Sequence, residues 1–337
     1  MRSTLSALAA PLLLCLPALC QAQQTGVQVY GILDIFAGNS NTSGSVATRA
    51  INNGGMTTSY YGFGGSEELG RGLKTVFALE GVVRLDTGES GRFPNDPLFS
   101  RAAYVGLSGD FGTVKLGRVP NPLFQASAAL NPYAFSTRFS PLMTQLWSAP
   151  YGSAVTGDTG WSNALHYTSP TLGGVTLVGQ YAPGENPATA SHNAAAVLRY
   201  EIGPLLLVAG GQRVEAGLGI TPAAPRQDTW LTGVAYDLRA VKLYASYDRN
   251  RTDLTGRRTR TAQLGLQVPA GAGRYLLSWA RSREDGLNRP EFRRDTATAG
   301  YDYSLSVRTD IYAVFVYDKL STASDGNTTA LGIRHKF

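Results

Sequence analysis

Cysteine is missing from almost the whole chain. The only two, Cys15 and Cys20, fall within the first 22 of 337 residues. The segment that follows can form no disulfide and no thiolate metal site. Long apolar runs are missing as well. Nowhere after residue 22 does the chain stay apolar for about 18 residues, which excludes a membrane-crossing helix. Histidine is scarce, with three in all. His166 and His192 lie on different predicted strands without the flanking carboxylates of a zinc site, and His335 sits near the chain end. A serine–histidine arrangement around His166, with Ser162 and Asn163, fails on geometry. Three positions along a strand put Asn163 and His166 on opposite faces. The glycines of 62–72 flank Glu67 and Glu68 and lack the lysine–serine ending of a phosphate loop. No catalytic residue, metal or cofactor is expected.

The first 22 residues read as a secretory signal peptide. Arg2 gives a positive start, Leu5 to Leu19 is apolar around Pro11 and Pro17, and Cys20-Gln21-Ala22 places small residues for cleavage before Gln23. A lipoprotein reading through Cys20 is opposed by the bulky Leu19 before it. Removing this segment takes away one basic residue, leaving 29 basic against 24 acidic and a net charge of +5 for 23–337. A mild basic excess on an exported chain does not indicate nucleic acid; it suits an anionic lipid surface or an anion path. No linker or composition break divides 23–337, so it is read as one unit.

That unit alternates. In 241–248, Val241, Leu243, Ala245 and Tyr247 oppose Lys242, Tyr244, Ser246 and Asp248. In 308–318, Ile311, Ala313, Phe315 and Tyr317 oppose Arg308, Asp310, Tyr312 and Asp318. The last residues, 331–337, place Leu331, Ile333 and Phe337 opposite Arg334 and Lys336. A period of two is expected where one face meets hydrocarbon and the other a polar interior. Sixteen strands follow: 26–37, 57–66, 72–85, 99–108, 113–119, 161–169, 174–182, 192–201, 205–214, 228–237, 241–250, 258–268, 273–282, 294–303, 308–318 and 327–337. Tight turns, such as 67–71 and 109–112, take turns with long connections at 38–56, 86–98, 120–160, 183–191, 215–227, 251–257, 283–293 and 319–326. About 20 residues per strand plus connection fits the length needed to cross a bilayer at a tilt. The fold class is therefore an all-β transmembrane antiparallel barrel of 16 strands. A soluble β-sandwich or β-helix also alternates, but does not explain the short–long rhythm and the terminal strand together. The strand from 273 sets Arg281 on the lipid face with Tyr275, Leu277 and Trp279, which places Arg281 near a rim.

Several segments resemble the trimeric porins of Gram-negative outer membranes, the branch typical of beta-proteobacteria and the neisserial porins. They are 27–34 (VQVYGILD), 61–74 (YGFGGSEELGRGLK) with 77–80 (FALE), 99–118 (FSRAAYVGLSGDFGTVKLGR), 303–312 (YSLSVRTDIY) and the terminal strand. The resemblance spans essentially all of 23–337. It implies a homotrimer in the outer membrane, in contact with lipopolysaccharide and outer-membrane lipid, with the third loop (119–160) folded into the lumen as a constriction. It implies passive passage of small hydrophilic solutes and ions. The alternatives are a selective porin for a small anion or sugar, and a structural or adhesive barrel.

In such a pore, wall arginines face the third loop. Arg101 and Arg118 match motif arginines, and Arg138 lies in the loop. Tyr60 and Gly160 stand where the family often carries further arginines. By alternation Glu80, Lys242, Asp248, Arg334 and Lys336 also face the lumen. From Val119 to Trp161, Asp158 is the only acid and Arg138 the only base. With no further carboxylate opposite Arg101 and Arg118, a net positive constriction and a weak to moderate anion preference are expected.

Overall fold

A computed structural model describes residues 26–148, 154–184, 191–286 and 289–337; the expected signal peptide, 1–22, lies outside them. The first half of the chain forms β1 (Gly26–Ser40), β2 (Thr48–Asn53), β3 (Tyr60–Gly70), β4 (Leu73–Val82), β5 (Ala102–Gly109) and β6 (Gly112–Pro120). Two short helices follow, α1 (Pro122–Ala129) and α2 (Pro141–Trp147), then β7 (Gly160–Thr168), β8 (Val175–Pro183) and β9 (His192–Ile202). The second half is strand only: β10 (Leu205–Val214), β11 (Gln227–Asp237), β12 (Lys242–Thr252), β13 (Arg258–Ala270), β14 (Gly273–Gly286), β15 (Arg289–Ser304), β16 (Thr309–Leu320) and β17 (Gly326–Lys336).

Each strand pairs antiparallel with its neighbour, and β1 closes on β17 from Ile32↔Lys336 to Asn39↔Thr329. Gly31 and Phe337 exchange both backbone hydrogen bonds at 3.2 Å, which ends the seam on the terminal aromatic. No edge strand is left among the described residues, the condition for β-structure inside hydrocarbon. Seventeen segments occupy sixteen wall positions, because β2 and β3 pair with successive halves of the same side of β1.

The outward face is apolar, with Val105, Leu116, Leu177, Leu264, Leu277, Phe315 and Leu331 exposed. Tyr236, Tyr275 and Tyr303 stand near the short turns, and Tyr181, Trp230 and Tyr247 toward the long loops. Two aromatic belts around an apolar band are what a bilayer requires of a barrel. Inward positions carry Gln212, Gln227, Gln263, Thr229, Thr261, Ser246 and Thr296, all buried.

Three expectations change. The connection 38–56 is partly strand, since β1 runs on to Ser40 and pairs with β2. The connection 283–293 is a hairpin extension, since β14 and β15 stay paired out to Gly286↔Arg289. The reversal expected at 67–71 comes at Arg71-Gly72, both with positive φ.

The break between β2 and β3 has one organiser, Asp34. Its carboxylate accepts from the Gly55 N–H (3.1 Å), the Thr57 N–H (2.7 Å) and the Tyr312 hydroxyl. Its backbone N–H donates to Ser59 Oγ at 2.9 Å. A buried backbone donor stripped of its acceptor costs about 1–3 kcal/mol. We predict that Asp34→Ala lowers the stability of the folded barrel by at least that amount, and that Asp34→Asn, which keeps one acceptor, loses less. Urea unfolding in detergent, followed by gel mobility, measures this; equal stability of wild type and Asp34→Ala would refute it.

Candidate functional site

The segment between β6 and β7 turns into the barrel because its composition leaves it no reason to stay in water. Apart from Arg138 and Asp158 it is uncharged, and Leu123, Leu130, Tyr133, Phe139, Leu142, Met143 and Leu146 are almost completely buried. Burying one such side chain contributes about 1.5–3 kcal/mol, enough to oppose the cost of ordering the loop. The helices start where the side chains dictate. Asn121 Oδ1 accepts from Leu123 and Phe124 N–H ahead of Pro122, and Ser140 Oγ accepts from Met143 N–H ahead of Pro141. Asn121 and Ser140 thus satisfy N–H groups that lack intrahelical partners.

The wall is built to receive this segment. Val197, Val208 and Leu231, apolar at inward positions, pack on Leu123 and Leu130. Leu276, Val314 and Val316 join Phe36, Tyr133, Phe139 and Tyr312 in a second cluster. At Gly233 a Cβ would lie 2.6 Å from Leu130 Cδ1, so the loop needs glycine there. Polar anchors fix the rest. Tyr133 donates to the Leu276 carbonyl (2.8 Å), and Ser136 to the Gly55 carbonyl (2.7 Å). Gln145 donates to the Ala280 carbonyl (3.0 Å), and Asn121 Nδ2 to Gln212 Oε1 (2.8 Å). The helices touch β8–β11 and β13–β15. The lumen left open is bounded by the inner face of β3–β6, where Tyr60, Glu80, Tyr104 and Lys115 are only half-buried.

The charges there are mostly paired, which corrects the expectation of an unopposed positive wall. Arg101 Nε lies 2.8 Å from a Glu80 oxygen, an ion pair off-axis for a hydrogen bond, and its guanidinium stacks 4.0 Å over Tyr60. Tyr30 donates to the other Glu80 oxygen at 2.8 Å. Arg118 shares the strand parity of outward Leu116. It donates to Asp158 (2.7 Å), Ser162 (3.0 Å) and the Ser100 carbonyl. Asp158, in left-handed backbone at φ 71°, also accepts from Arg92, which in turn holds Asp96 at 2.9 Å. Arg92 went unnoticed in the sequence because it lies in 86–98, a connection with no periodicity to give it a face.

Arg138 is exposed on the inserted loop and makes no ion pair among the described residues; Asp86 is the acid whose field reaches it. Lys115 is a second cation missed earlier, although it alternates inward against Val114 and Leu116. Its Nζ sits 4.6 Å from the Tyr104 ring. The other candidates lie apart. Asp248 is buried on β12, between strands that the helices cover, and accepts from Asn250. Arg334 is buried between Asp310 (3.0 Å) and Asp302 (3.6 Å) and donates to Thr57. Lys242 opens β12 beside a short turn, and Lys336 ends β17, so both belong to the short-turn mouth. His166 is buried against Gln180 and Thr168. No cluster of metal-ligating side chains occurs among the described residues.

Two predictions test how the loop is held. Burial alone would raise the Asp96 pKa, but the hydrogen bonds and charge of Arg92 outweigh it and bring it down to about 2; Asp158 is lowered for the same reasons by Arg92 and Arg118. A depressed carboxylate stabilises fully above its unfolded value, near ~4, and loses that contribution as pH falls through the folded value. Open-channel current noise should therefore stay flat from pH 7 to about 4 and rise only below; a rise already complete at pH 5 would contradict this anchoring. Tyr133→Phe removes one wall bond, a loss of about 1 kcal/mol. It should raise noise without moving the reversal potential, and a shifted reversal potential would show that Tyr133 does more than anchor.

Comparison with known proteins agrees with this geometry. The profile of the Gram-negative porin family matches residues 4–323. The chain is 29% identical to outer membrane porin protein 32 of Delftia acidovorans over 92% of this chain and 88% of that one. It is 26% identical to the major outer membrane protein P.IA of Neisseria meningitidis serogroup C over 83% and 82% of the two chains. Among solved structures, an anion-selective porin from Comamonas acidovorans superposes with a TM-score of 0.77 at 25% identity, covering 93% of this chain and all of the other. The trimer form of OmpT from Vibrio cholerae shares the fold at a TM-score of 0.70 and 12% identity, over 93% and 99% of the chains. A closed sixteen-position wall, a loop narrowing its lumen and a family match over nearly the whole length lead to one assignment: this chain belongs to the Gram-negative porin family, as an integral β-barrel of the outer membrane that passes small hydrophilic solutes without catalysis.

Proposed function

We propose that the channel is a homotrimeric general-diffusion pore with a weak to moderate preference for anions. The observation that carries the ion preference is the bookkeeping of charge around the aperture. Arg101 is matched by Glu80, and Arg92 and Arg118 by Asp96 and Asp158. Lys115 and Arg138 remain without an ion-pair partner among the described residues; against the two of them stands Asp86, whose field reaches Arg138, so a small positive surplus is left in the open half of the lumen. Of the candidates from sequence, we take Arg101 and Glu80 as a compensating pair on the open side and Arg138 as the residue that acts on a passing ion; Arg118 acts by holding Asp158. The anion-selective porin of the same fold supports the sign of the preference.

Support for a trimer comes from the outer surface. From β17 through β1 to β5 many exposed outward side chains are apolar, among them Val27, Val29, Phe63, Leu79, Val105 and Leu331; Asn327 and Thr329 on β17 are polar exceptions, and charge is confined to the strand ends. An apolar, charge-free sector of a barrel can face a second copy as readily as lipid. The OmpT structure of the same fold is described as a trimer.

The selective-porin alternative gains nothing specific, because the loop aromatics Phe124, Phe135, Phe139 and Trp147 pack against one another or the wall and form no track along the lumen. We predict an anion-side reversal potential in a KCl gradient. Arg138→Gln should reduce it, and Asp158→Asn, which releases Arg92 and Arg118 from charge balance, should increase it. Planar-bilayer recording decides the matter: a cation-side reversal potential in the wild type would overturn the proposal.

A further inference from the structure

Beneath the inserted loop, the wall and α1 enclose a recess of about 490 Å³ that takes no part in the constriction. α1 roofs it with Gln125 and Ala126, and inward positions of β7, β8 and β9 wall it. A volume of this order is that of a small-molecule site. The recess reaches Thr171 and Gly174 in the turn after β7, so it opens toward the short-turn mouth, the periplasmic side of such barrels. Register decides what it presents. Val178 lies opposite Val197, and Thr176 opposite Arg199. Glu201, two residues on from Arg199, takes the same face. An apolar floor under α1 thus runs into a charged rim beside the turns.

Arg199 and Glu201 are the charged side chains of opposite sign among the lining residues. They approach only to 3.6 Å, too far for a hydrogen bond, and neither side chain has a hydrogen-bond partner among the described residues. An ion pair this exposed contributes little to folding, so both groups are available to a solute. The Gln125 side-chain amide is also without a hydrogen-bond partner among the described residues. The neighbouring groups are already engaged. His166 uses both ring nitrogens on Gln180 and Thr168, and Lys115, opposite His166 in register, turns its ammonium to Tyr104. The recess therefore offers one guanidinium, one carboxylate and one amide beside an apolar floor.

We propose that this recess is a binding subsite for zwitterionic solutes, namely α-amino acids with an apolar side chain. The solute carboxylate pairs with Arg199 and its ammonium with Glu201, so charges alternate in sign around a closed ring. The side chain rests on Val178, Val197 and Ala126, and Gln125 meets the remaining carboxylate oxygen. A plain anion encounters the repulsion of Glu201, and a plain cation that of Arg199. Neither gains from both charges, so the rim selects a solute that carries both. Arg199 and Glu201 cancel, and the recess leaves the ion preference of the pore unchanged. The inference rests on the barrel being an open pore, through which a solute reaches the recess, and is independent of the anion preference.

The test titrates the full mature chain, folded in detergent micelles, with leucine, 4-methylpentanoate or 3-methylbutylamine. These share a carbon skeleton and differ only in which charged group is missing. Binding is read by ligand-observed NMR against empty micelles. Leucine should bind about tenfold more tightly than either of the others. Arg199→Gln should bring leucine down to the level of the amine, and Glu201→Gln should bring it down to that of the acid. A merely structural role for the pair would weaken all three solutes alike. Equal binding of the three by the wild type, no binding of any, or variants that keep the full preference would overturn the assignment. The wild-type comparison stands even if a variant does not fold. Bilayer conductance of the same preparation separates the two readings: a sample that conducts but does not discriminate refutes the subsite and leaves the pore intact.

Discussion

Everything in this protein follows from the requirement that no backbone hydrogen-bonding group be left bare in hydrocarbon. A sheet meets that requirement only by closing, and here the closure joins Gly31 to Phe337 across nearly the whole chain. Once closed, the wall has two unlike solvents on its two sides, and the residue alternation becomes compulsory. The seam is also where the wall is least regular. β1 serves β17 on one side and both β2 and β3 on the other, and Asp34 supplies acceptors where that second position is broken. Tyr312, from the far end of the chain, shares the same carboxylate. The closure and the break are thus fastened at one buried point.

The inserted loop is the second consequence. A polar interior gives an uncharged, apolar segment no reason to enter, so the wall departs from its own rule where the loop seats. Val197, Val208, Leu231, Leu276, Val314 and Val316 are apolar on the inner face and mark the loop's footprint. Opposite this footprint the wall keeps its polar and charged side chains half-exposed. The division of the lumen into a filled half and an open half is therefore written into which strands break the alternation.

Sequence patterning carried far for the wall and poorly for its charges. Most strands alternate visibly, and the outward placement of Arg281 follows from alternation alone. The footprint residues were legible in principle: Val314 and Val316 make 308–318 apolar on both faces, a pattern that alternation passes over because it asks only for opposite character. Arg92 carried no such mark. The pairing of Arg101 with Glu80 and of Arg118 with Asp158 could not be seen, because 21 and 40 residues separate the partners and nothing local fixes where a long side chain ends.

The sequence by itself determined the class of the molecule. A period of two, a rhythm of short and long connections and a terminal aromatic strand leave a closed membrane barrel as the consistent outcome, since each is a local consequence of meeting lipid or water. Only the tertiary structure decided which charges cancel and where the loop rests. Those are matters of register between strands, and register is set by pairing around the ring, a constraint that no single segment contains.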